Sequence, residues 1–312
     1  MSENDTETAV GAVMAALAII AVGLRFYTRH SKKAGLKWDD WLVLVGLLCM
    51  IATDILVIFA NSANPNGAEV ASGITDTDGY SPADITYTKL SFIATIVYFA
   101  ISSATKLSIL LLYNRLFSVD ASFRRQIIFL CAAVICWWLG CTLADILNCI
   151  PMEYTWINSL SDPRYCFNYN IYWFATGICE AFLDLLILLM PIGVITRLQL
   201  STTKKFAVGS VFLVGVMVIL SGLIKTGYGY VPHNRQPSFS KTALWTTVHS
   251  GTGIICACLP VCWPVFVSLK NGRAIVRRLE SIGITSAVGR NRNQMSGQDR
   301  PYEALQNVST SA

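Results

Sequence analysis

Charge is scarce in this chain. Asp, Glu, Lys and Arg make up only 14% of its 312 residues, against about 25% in an ordinary soluble protein. That excludes a water-soluble domain of this length with a normal polar surface. There are three histidines, and no H-E-x-x-H, G-x-S-x-G, Gly-rich phosphate loop or kinase signature. The zincin, α/β-hydrolase, nucleotide-binding and kinase classes therefore have no foothold. The first seven residues hold three acids and no base, the reverse of a signal-peptide n-region, so the first apolar run is expected to stay as an anchor.

What is present is hydrophobic length. Residues 8–27, 38–60, 88–117, 124–147, 171–195, 204–225 and 242–269 are each long and apolar enough to cross a bilayer, which takes about 20 residues. The reading is an all-α, polytopic membrane protein with seven transmembrane helices. Residues 1–7 form a short acidic N-terminus before the membrane domain at 8–269. After it, 270–285 is expected as a basic interfacial helix, with Ile275, Leu279 and Ile282 on one face beside Arg273, Arg277 and Arg278. The polar segment 286–312 reads as a disordered cytosolic tail.

Basic residues separate to one side of the spans. Arg25, Arg29, Lys32, Lys33 and Lys37, then Arg115, Arg124 and Arg125, then Arg197, Lys204 and Lys205, and finally the tail, all fall on the side opposite the N-terminus. The positive-inside bias then puts the N-terminus outside and the C-terminus in the cytosol. The formal charge of +5 marks topology and anionic lipid, and no nucleic-acid partner is expected. The Asn4-Asp5-Thr6 sequon would face outward and is a glycosylation candidate.

Of ten cysteines, only Cys149 and Cys166 fall outside the spans. Both face the oxidising side, so a disulfide closing their loop is expected, with two free thiols as the alternative. The other cysteines read as small apolar packing residues, and no metal site is expected.

Ionisable groups inside spans are costly and call for a reason. Glu180 and Asp184 lie four residues apart, on one helical face. Asp54, Asp145, Lys225 and His249 lie on four other spans, so the six could line a polar cavity opening outward. Two poorly solvated carboxyls one turn apart cannot both ionise cheaply. One that keeps its proton near neutral pH could act as a catalytic acid on a lipophilic substrate, with its neighbour as base. The same groups could instead hold a polar or cationic ligand or relay protons. The competing reading is structural: Glu180 pairs with Lys225 or His249, Asp145 caps its helix, and nothing reacts. Lys106 is expected to snorkel or to pair with an acid on a neighbouring helix. A retinal Schiff base is not expected, because the last span contains no lysine. Asp39 and Asp40 open the second span, where acids complement the helix dipole between two interfacial tryptophans.

Several stretches carry a family resemblance. They are Arg25-Phe26-Tyr27-Thr28-Arg29, Trp38-Asp39-Asp40-Trp41, Lys106 through Tyr113-Asn114-Arg115-Leu116-Phe117, and Cys149-Ile150-Pro151 with Trp156 and Cys166. Asp184 followed by Pro191, Lys204-Lys205, and Cys258-Leu259-Pro260 extend it over residues 10–270. The chain resembles the fungal rhodopsin-like integral membrane proteins, the family named after a membrane protein of the satratoxin gene cluster. The resemblance implies a seven-helix bundle in either a biosynthetic cluster component or a receptor-like protein, and does not imply retinal or another cofactor. Only seven residues precede the first span, so the cysteine-rich outer domain of many receptor-like members is not expected. The first reading is a membrane-embedded component of a fungal secondary-metabolite pathway, with acid/base catalysis, for example cyclisation, on a lipophilic intermediate by Glu180 and Asp184. The alternative is a receptor-like protein that senses an external ligand without retinal and engages a cytosolic partner. Whether the chain is an enzyme, and which membrane holds it, stay open at this stage.

Overall fold

The computed structural model describes residues 3–33, 35–71, 81–116, 121–156, 164–192, 202–240 and 242–262. The expected interfacial helix at 270–285 and the tail at 286–312 lie outside the described residues. Among the described residues eight α-helices follow in order: α1 (Glu3–Ser31), α2 (Trp38–Ala63), the one-turn α3 (Gly67–Ala71), α4 (Pro82–Leu116), α5 (Ala121–Ile146), α6 (Tyr169–Leu189), α7 (Thr202–Gly229) and α8 (Thr242–Cys262). All but α3 contain a stretch long and apolar enough to cross a membrane. The protein is an integral, multi-pass membrane protein, all-helical among the described residues apart from one isolated β-bridge between Cys149 and Cys166.

Helix ends fall where local chemistry puts them. α1 begins at Glu3, five residues before the apolar run, because its early acids complement the positive end of the helix dipole. The Asn4 sequon therefore lies within the first turns of a helix. α4 begins at Pro82, six residues before Thr88. Ser81 caps it: its Oγ accepts the Asp84 amide at 3.3 Å while Asp84 Oδ2 accepts the Ser81 amide at 2.8 Å. Asn168 caps α6 by accepting the Ile171 amide at 3.1 Å.

The bundle is apolar outside as well as inside. Val13, Leu48, Phe129, Phe182 and Leu213 are more than half exposed, far more apolar surface than a water-soluble monomer carries. It faces lipid, where helices meet every backbone hydrogen bond internally. α4 is the central helix, 61% buried over its apolar window against 22% for α1, α2 and α5. On one side it joins Ala18, Val22, Val43, Met50, Ile254 and Cys258 from α1, α2 and α8. On the other, its Leu110 and Tyr113 meet Phe123, Ile127, Leu183 and Ile187 from α5 and α6.

α6 and α7 approach most closely at Gly177. A methyl group there would run into the hydroxyl of Thr226, which is spent on the Gly222 carbonyl at 2.9 Å. Small residues let transmembrane backbones close in this way. Gly177→Ala is expected to cost about 1–3 kcal/mol through overpacking, and Thr226→Ala to recover most of it. Thermal unfolding of the single and double variants in detergent measures this, and a harmless Gly177→Ala would contradict the close crossing.

Beyond α5, Cys149 and Cys166 are bonded (S–S 2.05 Å) and closed by hydrogen bonds from Ile150 N to Tyr165 O and Phe167 N to Asn148 O. Arg235 Nη2 donates to the Cys166 carbonyl at 2.8 Å, and Asn170 Nδ2 donates to the carbonyls of Val231 and Asn234. The disulfide loop is thus fastened to the α7–α8 connection.

Candidate functional site

Glu180 lies near the middle of α6, 2% exposed, and draws groups from three other helices. Tyr98 of α4 donates its hydroxyl to both carboxylate oxygens, at 2.8 and 2.6 Å, and the Ser102 hydroxyl reaches Oε1. Lys225 of α7 approaches Oε2 at 2.8 Å and also donates to Tyr98 Oη. Lys106 of α4 and His249 Nε2 of α8 each stand 3.4 Å from Oε1. The His249 ring is fixed from its other side, with Nδ1 3.1 Å from the Val218 carbonyl and 3.4 Å from Ser221 Oγ.

Asp184 sits one turn further along α6 and shares Lys106. The ammonium lies 3.0 Å from Asp184 Oδ1 and donates to Ser102 Oγ at 2.7 Å. Two lysines face two carboxylates, so the cluster balances without help from His249. Charge balance makes such a group tolerable in a low-dielectric bundle, where an isolated ion would be expelled or neutralised.

The two acids are not equivalent. Glu180 is saturated by five neighbours and is not among the residues that line the cavity beside the cluster. Asp184 borders a cavity of about 40 Å³ together with Lys106, Tyr113, His249, Ser250 and Cys256. That is room for two or three water molecules. Its Oδ2 is buried and has no hydrogen-bond partner in the protein. Among the carboxylate oxygens of this cluster, that one alone is open to a group entering the cavity.

Of the six residues expected to share a polar cavity, four come together: Glu180, Asp184, Lys225 and His249. Asp145 is held apart, fully buried and accepting from Tyr169 Oη at 3.0 Å. Asp54 lies against α1, where a Cβ at Gly11 would be 3.7 Å from its Oδ1. No ion pair or hydrogen bond joins either to Glu180 among the described residues. The cavity was expected at the N-terminal end; it runs instead toward the opposite end, reaching Tyr113 and Leu188 near the last turns of α4 and α6. Lys106 takes the pairing alternative rather than snorkelling. Tyr98 and Ser102 carried no signal of their own, although they precede Lys106 by eight and four residues and so share its helical face.

A second ionic cluster was not foreseen at all. Arg25 of α1, fully buried, donates from Nε to Asp40 Oδ1 at 2.7 Å, from Nη2 to Asp39 Oδ2 at 2.8 Å and from Nη1 to the Ala257 carbonyl of α8 at 2.6 Å. Arg29 meets the same two carboxylates at 3.2 and 2.7 Å. Arg115 of α4 stands 4.0 Å from Asp39 Oδ1, and Ser108 donates to the Asp39 carbonyl. The acids read as dipole partners and interface markers are the anions of a buried cluster joining α1, α2, α4 and α8.

A fungal rhodopsin domain is matched across residues 24–268, most of the seven-helix bundle and both clusters. The chain belongs to the fungal rhodopsin domain family. It is 28% identical over 249 residues to the wortmanamides biosynthesis cluster protein C of Talaromyces wortmannii, covering 78% of this chain and 66% of that protein. It is 31% identical over 201 residues to an SAT4 family membrane protein of Emericella nidulans, covering 62% and 50%. The satratoxin biosynthesis SC1 cluster protein 4 of Stachybotrys chartarum is 26% identical over 165 residues, 53% of this chain and 60% of its own length. The chain thus spans half to two thirds of these relatives. No solved structure matches it. Two of these three relatives are named as proteins of biosynthetic clusters.

A retinal Schiff base does not fit the cluster as built: among the described residues both of its lysines, Lys106 and Lys225, are engaged with carboxylates. Among the described residues, no three His, Cys, Asp or Glu side chains converge to hold a metal ion.

Proposed function

We propose that this protein is a membrane-embedded component of a fungal secondary-metabolite pathway and that it performs a proton-transfer step on a lipophilic intermediate. The observation that carries the reading is Asp184 Oδ2, a buried carboxylate oxygen with no partner in the protein, at the wall of a largely apolar cavity. The names of relatives from the wortmanamides and satratoxin clusters support the pathway setting. In this reading Asp184 is the group that exchanges a proton with the intermediate. Lys106 holds its other oxygen, and Glu180 acts as a positioning residue by fixing Lys106. The N-terminal end faces away from the cytosol, in keeping with the distribution of basic residues, so the cavity approaches the cytosolic side.

The test is a metabolite profile of the native host with the gene deleted, then restored as wild type or as Asp184→Asn. One compound class should vanish and its precursor accumulate, with rescue by wild type alone at equal membrane levels of both proteins. A positioned acid or base contributes about 10²–10⁴-fold in rate, so Asp184→Asn should return no more than about one per cent of product flux. An unchanged profile after deletion would remove the biosynthetic reading and leave the receptor-like role as the better one.

A further inference from the structure

A second cavity, of about 90 Å³, opens at the N-terminal end of the bundle between α1, α2, α4, α6 and α8. Its wall is unusual in what it can offer a ligand. Five threonines line it: Thr53, Thr95, Thr242, Thr246 and Thr247. Each hydroxyl donates its proton to a backbone carbonyl one turn earlier, those of Cys49, Ser91, Ser238, Thr242 and Ala243, at 2.8 to 3.4 Å. A hydroxyl whose proton is spent presents only lone pairs. These five hydroxyls therefore accept hydrogen bonds far better than they donate them.

Charge points the same way. Glu7 lines the cavity and receives Asn61 Nδ2 at 3.5 Å. Asp54 adjoins that wall, since the same Cβ position at Gly11 lies 3.7 Å from Asp54 Oδ1 and 3.9 Å from Thr247. Asp54 Oδ2 is buried with no hydrogen-bond partner. Among the described residues, no lysine or arginine lines it. Lys225, 5.5 Å from the Trp173 ring, is committed to Glu180, and Lys89 lies over Trp156. Trp173 turns its Nε1 toward Gly229, so its ring is what remains for the cavity, beside Tyr87 and Phe239. Aromatic faces next to acceptors and carboxylates suit a cation with N–H donors.

We propose that this cavity binds a small alkylammonium group, its N–H donors received by the threonine oxygens and its charge by Glu7 and Asp54. The site is separate from the Asp184 cavity and does not rest on the function proposed for it. The group has two sources, a free amine or the headgroup of an ethanolamine lipid, and the test separates them. The full chain is placed in phosphatidylglycerol nanodiscs and titrated calorimetrically with ethylammonium chloride, against sodium chloride at the same ionic strength. Saturable binding specific to ethylammonium is expected. It should fall at least about tenfold in Glu7→Gln, which removes one charge, and measurably in Thr246→Val, which keeps the shape and removes one acceptor. Discs made with phosphatidylethanolamine then assign the source: lost ethylammonium binding means the headgroup occupies the site, and retained binding means a free amine does. Heat no greater than that of sodium, or binding unchanged in both variants, overturns the proposal. Gel filtration checks folding, and Thr246→Val decides alone if Glu7→Gln does not fold.

Discussion

Glu180→Gln is expected to be among the most damaging single substitutions in the bundle, costing about 3–5 kcal/mol, the usual penalty for breaking a buried ion pair by removing one partner. The amide keeps the shape and can still accept hydrogen bonds from Tyr98 and Ser102, so packing is hardly altered. What disappears is the anion that neutralises Lys225, which is 2% exposed and has no other carboxylate within ion-pair distance among the described residues. Lys106 suffers less, because Asp184 remains 3.0 Å away. The damage should therefore trace to Lys225. Glu180→Gln combined with Lys225→Met removes both charges together and is expected to recover most of the loss, a coupling that a double-mutant cycle on thermal or denaturant unfolding in detergent reads directly. If the double variant is no more stable than Glu180→Gln alone, hydrogen bonding to Tyr98 and Ser102 outweighs charge balance and the account of the cluster is wrong. Asp184→Asn serves as the contrast. It should cost less, because Lys106 keeps Glu180 and Ser102, while abolishing product formation if Asp184 is the proton-transfer group.

The architecture was legible because it rests on composition and length. Seven apolar runs with basic residues on one side require helices, and a bilayer leaves a single chain with runs of this kind no other way to satisfy its backbone. The disulfide followed from compartment alone, since Cys149 and Cys166 were the two cysteines outside the spans. Pairing was half legible. Glu180 with Lys225 or His249 was one of two readings of the intramembrane ions, and the structure contains both contacts. Rotation was not legible. Counting residues along a span gives height but not rotation, so Asp54 and Asp145 were grouped with Glu180 although their helices turn them elsewhere. The cavity's direction was missed for the same reason. Some helix ends were written in the sequence and could have been read: Ser81-Pro82-Ala83-Asp84 has the spacing of a capped start, well before hydropathy rises at Thr88.

Arg25 shows the limit most clearly. Read as a basic residue marking one side of the membrane, it is fully buried and makes a separate hydrogen bond from each of its three nitrogens, to Asp40, Asp39 and the Ala257 carbonyl. Nothing local announces this, because the contact depends on the α1–α2 turn bringing Asp39 and Asp40 back alongside α1. The clue available was the four-residue spacing of Arg25 and Arg29, which puts two guanidinium groups on one face opposite two adjacent acids. From the geometry, Arg25→Met is expected to cost about 3–5 kcal/mol, since it leaves two buried carboxylates to Arg29 alone at the cluster's edge and removes the tie to the Ala257 carbonyl of α8. Arg29→Met should cost less, because Arg29 is at the edge of the cluster and Arg25 would still hold both acids. Arg25→Lys should rescue little. One ammonium on a flexible stem cannot reproduce a planar fork aimed at three acceptors on two helices. The ordering is checked by thermal unfolding of the three variants, and Arg29→Met proving as harmful as Arg25→Met would contradict it. The two clusters share α4 and α8 but lie at different heights, one tying in α1 and α2, the other α6 and α7. Neither can be satisfied by any helix alone in lipid, so forming them selects the closed bundle over separately inserted helices, and it does so where apolar packing against lipid-like neighbours discriminates least.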